Sequence, residues 1–409
     1  MRATAITGHA SQVGVISQSR RWLVTWIVGA DLAVALMAST MLTPLYLIYK
    51  ETFHFSEVTL TLIYSTYVLG NLLALFAFGR LSDQVGRRIT AWAALVVAAA
   101  STVLFAFAQG TLWLYIARLV SGFSTGLASG VATAWIAELH PKKDKHESAA
   151  FAVTANLIGI AVGPLLAGLL AERFNFPFHP IYFLYLGVVA VVVFSIAYVP
   201  ETIEDPVRTW AEVSLRLRLG VPEDIRAMFL APAVTAFGIF SLCGFYSALV
   251  PGLLAQDLHQ TSPSASGTVV FGMFIVAALT AMITRKMKSQ AAMLWGLGIL
   301  LPSLGFLLWA QVAHSMALLI VATATSGISA GLGYCGSLQV VNQIAPDDRR
   351  SEVVSSYLIA CYSGNSIPVV GIGSLSEVTT SMNAHVIFAC VVGTFAVIGL
   401  ITGVKYTPR

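Results

Sequence analysis

The sequence predicts an all-α membrane protein of twelve transmembrane helices, arranged as two six-helix, pseudo-symmetric bundles. Three observations predict it: a composition too poor in charge for a water-facing surface, twelve apolar stretches of bilayer length, and an internal repeat. Of 409 residues, 57 % are hydrophobic and only 10 % charged. A soluble chain carries about a quarter charged residues. Most of this exterior must therefore face lipid.

A bilayer core about 30 Å thick needs roughly twenty apolar residues per helix. That ruler finds spans near 22–49, 57–78, 89–108, 112–137, 149–171 and 181–199, then 228–252, 266–284, 291–310, 315–341, 353–373 and 383–404. They are expected to be helices because backbone groups in lipid must pair within their own segment. A membrane barrel would instead alternate polarity over short segments, and no such alternation is present. The first stretch is too long for a signal-peptide core and shows no cleavage pattern, so it reads as a retained helix. Cys243, Cys335, Cys361 and Cys390 all fall inside spans and read as free thiols.

Orientation follows from Lys and Arg. All but Lys50, Arg118 and Arg173 of the 23 basic residues fall in the two tails or in alternate loops, all on one side. The positive-inside rule makes that side cytoplasmic, with both termini there. The net charge of +4 thus reports topology and gives no reason to expect a nucleic acid.

The two halves repeat at an offset near 205 residues. Gly122 recurs as Gly327, Gly126 as Gly331 and Pro141 as Pro346; Pro164 recurs as Pro368, one residue short of that offset. Six helices per repeat give two parallel halves suited to rocking about a central site. The expected organisation is a cytoplasmic tail (1–21), a first bundle (22–199), a cytoplasmic linker (200–226), a second bundle (227–404) and a short cytoplasmic tail (405–409). The linker holds Pro200, Pro206 and Pro222. A surface helix is expected around Trp210–Arg218.

Between the second and third spans lies Gly79-Arg80-Leu81-Ser82-Asp83-Gln84-Val85-Gly86-Arg87-Arg88. Gly79 and Gly86 suit a tight turn, and Asp83 suits a helix cap or an Arg partner. The fourth span carries Arg118, then Ser121 and the stripe Gly122, Gly126, Gly130, where another helix can approach closely. The fifth carries Gly159, Gly163-Pro164, Ala167 and Gly168. Pro164 removes a backbone bond and should kink the helix.

These motifs together resemble the major facilitator superfamily, and the resemblance covers residues from about 22 to 404. The first matches its signature loop, which implies a cytoplasmic gate of Gly79, Asp83, Gly86, Arg87, Arg88 and Glu138. In that gate Asp83 faces the region near Ser351, and Arg87 pairs with Glu138. The second resembles the family's fourth-helix motif, with Ser121 in place of the usual Gln. The third resembles the motif of its antiporters, implying that Gly159, Gly163, Pro164 and Gly168 belong to a drug:proton antiporter of twelve helices.

Asp31 is the one acid well inside a span, and Arg118 the one base. Ionisable groups in lipid are costly and mark function by default. Their repeat-related positions are Ala236 and Thr323, so the pair serves one half only. At 1.5 Å per residue, Asp31 lies about 7 Å to the cytoplasmic side of its helix midpoint and Arg118 about 10 Å to the outer side of its own. Proton coupling through a shared watery cavity is therefore expected, with direct pairing left open. By analogy with the family's central helices, Tyr46, Asn156, Tyr246, Tyr334 and Gln339 are candidate substrate-binding groups.

Gly331-Leu332-Gly333-Tyr334-Cys335-Gly336 spells a dinucleotide-loop string, but inside an apolar helix with no preceding strand it reads as packing. No phosphate loop, metal spacing or nucleophile–base set is visible, so neither enzyme nor cofactor is expected. The expectation is a proton-coupled antiporter in a bacterial inner membrane. It would act as a monomer and export a small lipophilic, drug-like or metabolite substrate. The alternatives are a proton symporter importing a metabolite and a non-transporting membrane sensor or scaffold.

Overall fold

A computed structural model describes residues 17–78, 81–142, 145–174, 178–203, 219–346 and 349–406. Fifteen α-helices are described: α1 (Gln18–Thr40), α2 (Tyr46–Phe53), α3 (Glu57–Phe78), α4 (Leu81–Val85), α5 (Arg87–Ala106), α6 (Thr111–Leu139), α7 (Lys145–Arg173) and α8 (His179–Ile196). There follow α9 (Arg226–Ala248), α10 (Val250–Gln256), α11 (Pro263–Ile283), α12 (Ser289–Val312), α13 (Met316–Ile344), α14 (Arg350–Val378) and α15 (Ser381–Tyr406). Among the described residues, twelve segments are long and apolar enough to cross a bilayer. Phe194, Ile283, Trp295 and Ile401 point outward, each more than half exposed, as lipid contact requires.

Several helices outrun the expected spans. α6, α7, α13 and α14 have 29 residues each, about 43 Å at 1.5 Å per residue. Their surplus turns extend past the hydrocarbon layer, beyond the reach of a hydropathy ruler. The first span of each half is broken at a matching place. Pro44 sits in a 3-10 turn, Thr43–Leu45, between α1 and α2, and Pro251 sits in the first turn of α10 after α9. Proline lacks the N–H that would continue the preceding helix, which accounts for both breaks.

The starts of α1 and α9, the end of α15 and the loops bearing Arg87, Lys142, Arg285 and Arg349 share one face, called here the basic face. Within the first six spans α3, α5 and α1 pack on α6, α1 on α7, and α5 on α8. In the second six α12 and α11 pack on α13, and α14 and α15 on α9. Gly122 and Gly126 bring α6 against α3, where an added Cβ would lie 2.0 Å from the Tyr67 carbonyl oxygen and 2.7 Å from that of Asn71. Gly327 and Gly331 do the same for α13 against α11. Gly130 meets nothing within 4 Å, so the expected stripe closes two positions rather than three. Gly333 and Gly336 pack on Ile239 and Met293, as the packing reading of that string requires.

The two sets of helices meet chiefly through α7 with α11 and α3 with α14. Close approaches lie toward the face opposite the basic one. A Cβ at Gly168 would sit 2.3 Å from the Pro263 carbonyl, and one at Gly373 as close to Thr61 Oγ1. Ser262 donates to Glu172 at 2.9 Å there. Toward the basic face α11 stands off from the packed pair α1 and α7, whose Trp26 and Phe151 rings lie 4.9 Å apart, and leaves a cavity of about 390 Å³ lined by Trp22, Trp26, Phe151, Glu147, Met282 and Arg285. The molecule is thus closed on the opposite face and parted on the basic one. Gly79 and the 210–218 surface helix lie outside the described residues.

Candidate functional site

A chamber of about 110 Å³ sits between the two sets of helices, lined by α1, α3, α6, α7, α9, α11, α13 and α14. Asn156 and Tyr334 line it, as the sequence suggested. Tyr46, Tyr246 and Gln339 do not. Tyr46 bonds Arg118 behind the wall, Tyr246 donates to Thr323 at 3.3 Å, and Gln339 turns to α12, accepting from Ser289 at 3.0 Å. Sequence reasoning missed Ser39, Tyr64, Tyr67, Tyr362 and Asn365, all of which line the chamber. Tyr64, Tyr67 and Asn71 stand at i, i+3 and i+7, one polar stripe on an apolar helix. That spacing was a usable signal. Tyr64 also bridges the halves, donating to Asn365 Oδ1 at 3.0 Å.

Arg118 is fully buried. Its guanidinium donates to the Ser39 carbonyl at 2.6 Å and bonds the Tyr46 hydroxyl. It lies 5.3, 5.7 and 5.9 Å from the ring centres of Tyr46, Tyr64 and Tyr67, within cation–π range. Every one of these partners is neutral.

Asp31 is also fully buried, and neither carboxylate oxygen has a hydrogen-bond partner. It shares a helix face with Val34, whose carbonyl accepts from Tyr185 of α8 at 3.0 Å. Eight residues separate Asp31 from Ser39, about 12 Å along α1. The expected shared cavity is therefore corrected: Asp31 and Arg118 stand apart, and neither side chain lines the chamber. α1 lies between them as the common element, with chamber groups Leu36, Ser39 and Thr40 on one side and Asp31 on another.

The antiporter-like motif of α7 packs on this same helix. Cβ atoms at Gly159 and Gly163 would fall 2.2 Å from the Ala33 carbonyl and 2.7 Å from that of Met37. Pro164 interrupts α7 and cannot donate to the carbonyl of Ile160. Thr40 of α1 supplies the missing donor, Oγ1 to Ile160 O at 2.9 Å. The kink is thus completed by α1 at the chamber wall, since Thr40 and Ile160 both line it. Gly168 continues the motif onto α11.

On the basic face Arg87 pairs with Glu138 at 2.6 Å and with Asp83, and donates to Ser82 at 2.7 Å. Asp83 is over half exposed and taken up by Arg87; the Ser351 side chain lies outside the described residues. Gly86 has φ +112°, a conformation natural only to glycine. Beyond it the Arg87 and Arg88 backbone N–H groups, which have no acceptor within the first turn of α5, donate to the two oxygens of Glu201, each at 3.0 Å. The Arg88 side chain donates to the Val199 carbonyl, and Thr202 bonds Glu138. Glu201 was missed because it acts from 114 residues away as a cap on another helix. The loop, α6 and the chain after α8 form one polar knot within the first six spans.

Twelve membrane helices that close on one face around a polar-lined central chamber define a multi-pass membrane transporter. The sequence pattern of the Major Facilitator Superfamily matches residues 32–368, and the chain belongs to that family. It is not an enzyme. An uncharacterised MFS-type transporter of Methanocaldococcus jannaschii is 20 % identical over 86 % of this chain and 92 % of its own. The quinolone resistance protein NorA of Staphylococcus aureus is 22 % identical over 57 % of this chain and 60 % of its own. The class H tetracycline resistance protein of Pasteurella multocida is 35 % identical over 25 % of this chain and 28 % of its own. The chain thus spans less than two thirds of either resistance protein.

Proposed function

We propose that this transporter is a proton-coupled antiporter that exports small lipophilic, drug-like molecules or metabolites, working as a monomer in a bacterial inner membrane. The basic face is cytoplasmic in this reading, because positive loops stay inside. The observation that carries it is Asp31, a fully buried carboxyl with two unpartnered oxygens in the interior of a span. An unpaired charge there is costly, so the neutral carboxyl suits this closed-outside arrangement. The ionised form suits an arrangement in which water or a donor reaches it. Proton binding therefore favours one state over the other by differential affinity.

A solute in the chamber acts on the other side of α1, through Leu36, Ser39 and Thr40. Solute and proton then bias the same helix without sharing a ligand. Names of the resistance proteins above agree with efflux, and the glycine–proline motif of α7 supports exchange across α1 and α11. The test is flux in proteoliposomes carrying an imposed pH gradient, with a fluoroquinolone and a tetracycline as first probes. Solute should move against the direction of proton flow. Movement with the protons would establish symport, and flux indifferent to the gradient would remove proton coupling.

A further inference from the structure

We propose that the chamber selects anionic, carboxylate-bearing aromatic solutes over cationic ones, with Arg118 as the charge that sets the preference. The inference rests on the chamber being the solute site, as argued above, and names the chemistry that the site takes. Its lining includes Ser39, Tyr64, Tyr67, Asn156, Tyr362 and Asn365 among apolar groups, and contains no Asp, Glu, Lys, Arg or His. A cationic solute would find no counter-charge in that wall. The acid of α1 is about 12 Å along the helix from Ser39 and lies outside the lining.

The positive charge behind the wall has the opposite character. Arg118 is fully buried and holds a carbonyl, a hydroxyl and three ring faces, with no carboxylate among its partners. Its Nε is buried without a hydrogen-bond partner. Two of the three rings, Tyr64 and Tyr67, are themselves chamber wall, and so is Ser39, whose carbonyl the guanidinium holds. A carboxylate seated against these rings stands one ring's thickness from an uncompensated guanidinium in a medium of low polarity. Coulomb attraction at a given distance is stronger there than in water. The same field repels an ammonium in the same place. The aromatic preference follows from the walls, where Phe240, Tyr334 and Tyr362 offer ring faces and edges to a flat solute.

The test uses three solutes of one shape and different charge: 2-naphthoate, 2-naphthamide and 2-naphthylmethylammonium. Binding to the full chain in lipid nanodiscs is measured by calorimetry, with empty nanodiscs subtracted. Naphthoate should bind on the order of tenfold tighter than the amide, and the ammonium weaker than the amide. In Arg118→Gln the naphthoate advantage over the amide should vanish, and in Arg118→Lys, which keeps the charge, it should persist, a split that a merely structural role would not produce. Ser247→Asp, which places an acid in the lining beside the Tyr64 hydroxyl, should offset the field of Arg118 and reverse the order while Arg118 itself is kept. Ammonium binding equal to or tighter than naphthoate in the unaltered protein overturns the proposal, as does failure of all three to bind, or an unchanged order in Ser247→Asp. Proton-driven flux of the ammonium would sink this inference and leave the antiport reading standing; loss of proton linkage for every solute would sink antiport alone.

Discussion

Asp31 and Arg118 show that two buried charges in one half need not be partners. Each is fully buried, yet one has no hydrogen-bond partner and the other only neutral ones. Their isolation keeps the acid free to change its protonation without breaking an ion pair. Gly86 is a residue with a different kind of constraint. At φ +112° an alanine is strained, and its Cβ would lie 2.9 Å from Glu201 Oε2. Gly86→Ala should therefore destabilise by about 1–3 kcal/mol, seen as a lower melting temperature of the purified protein. An unchanged melting point would mean that Glu201 does not cap α5 in solution.

Asp257, in the turn before α11, gives a pH-dependent case outside the spans. Burial raises its carboxyl above the ordinary carboxylate value, while His314 and His259 pull it the other way, and its Oδ2 is buried without a partner. A raised folded-state value means that the folded protein holds this proton more tightly than the unfolded chain. The group therefore favours folding in acid, and that contribution is lost as pH rises through the carboxyl range. Asp257→Asn should melt higher than the unaltered protein at neutral pH, and the two should converge in acid. A constant difference across that range would place the effect elsewhere.

At the scale of elements, α7 is the joint of the molecule. Its glycines seat it on α1 at Ala33 and Met37 and on α11 at Pro263, and Thr40 closes the gap left by Pro164. A bulky group at Gly168 should wedge α7 from α11 on the closed face. In a background whose four cysteines are replaced, Gly168→Phe should speed the labelling of a cysteine introduced at Ser262 by a membrane-impermeant thiol reagent. Labelling at the original rate would show that this contact does not hold the face shut. The kink and the small-residue surface were legible in the sequence, because proline and glycine act through their own geometry. Thr40 and Glu201 were not legible, since each satisfies a backbone group more than a hundred residues away. The Tyr64–Tyr67–Asn71 stripe was readable by spacing, but tyrosines in spans commonly anchor the interface, and that commoner role hid it.

For the whole molecule, twelve spans and their helical nature could be read directly, because lipid forces backbone pairing and length onto every segment. Which face is closed could not be read from sequence, since both states use the same apolar stretches. The chamber's walls were half legible: Asn156 and Tyr334 fell where analogy placed them, while Gln339 turned to Ser289 on α12. The separation of Asp31 from the chamber has the largest consequence for the proposed antiport, in which α1 is the element that proton and solute each bias. The most direct test is Asp31→Asn in proteoliposomes, comparing two modes of transport for one solute. Accumulation driven by a pH gradient should be abolished, while solute exchange with equal pH on both sides and the melting temperature stay close to those of the unaltered protein. Full gradient-driven accumulation by Asp31→Asn would contradict the account.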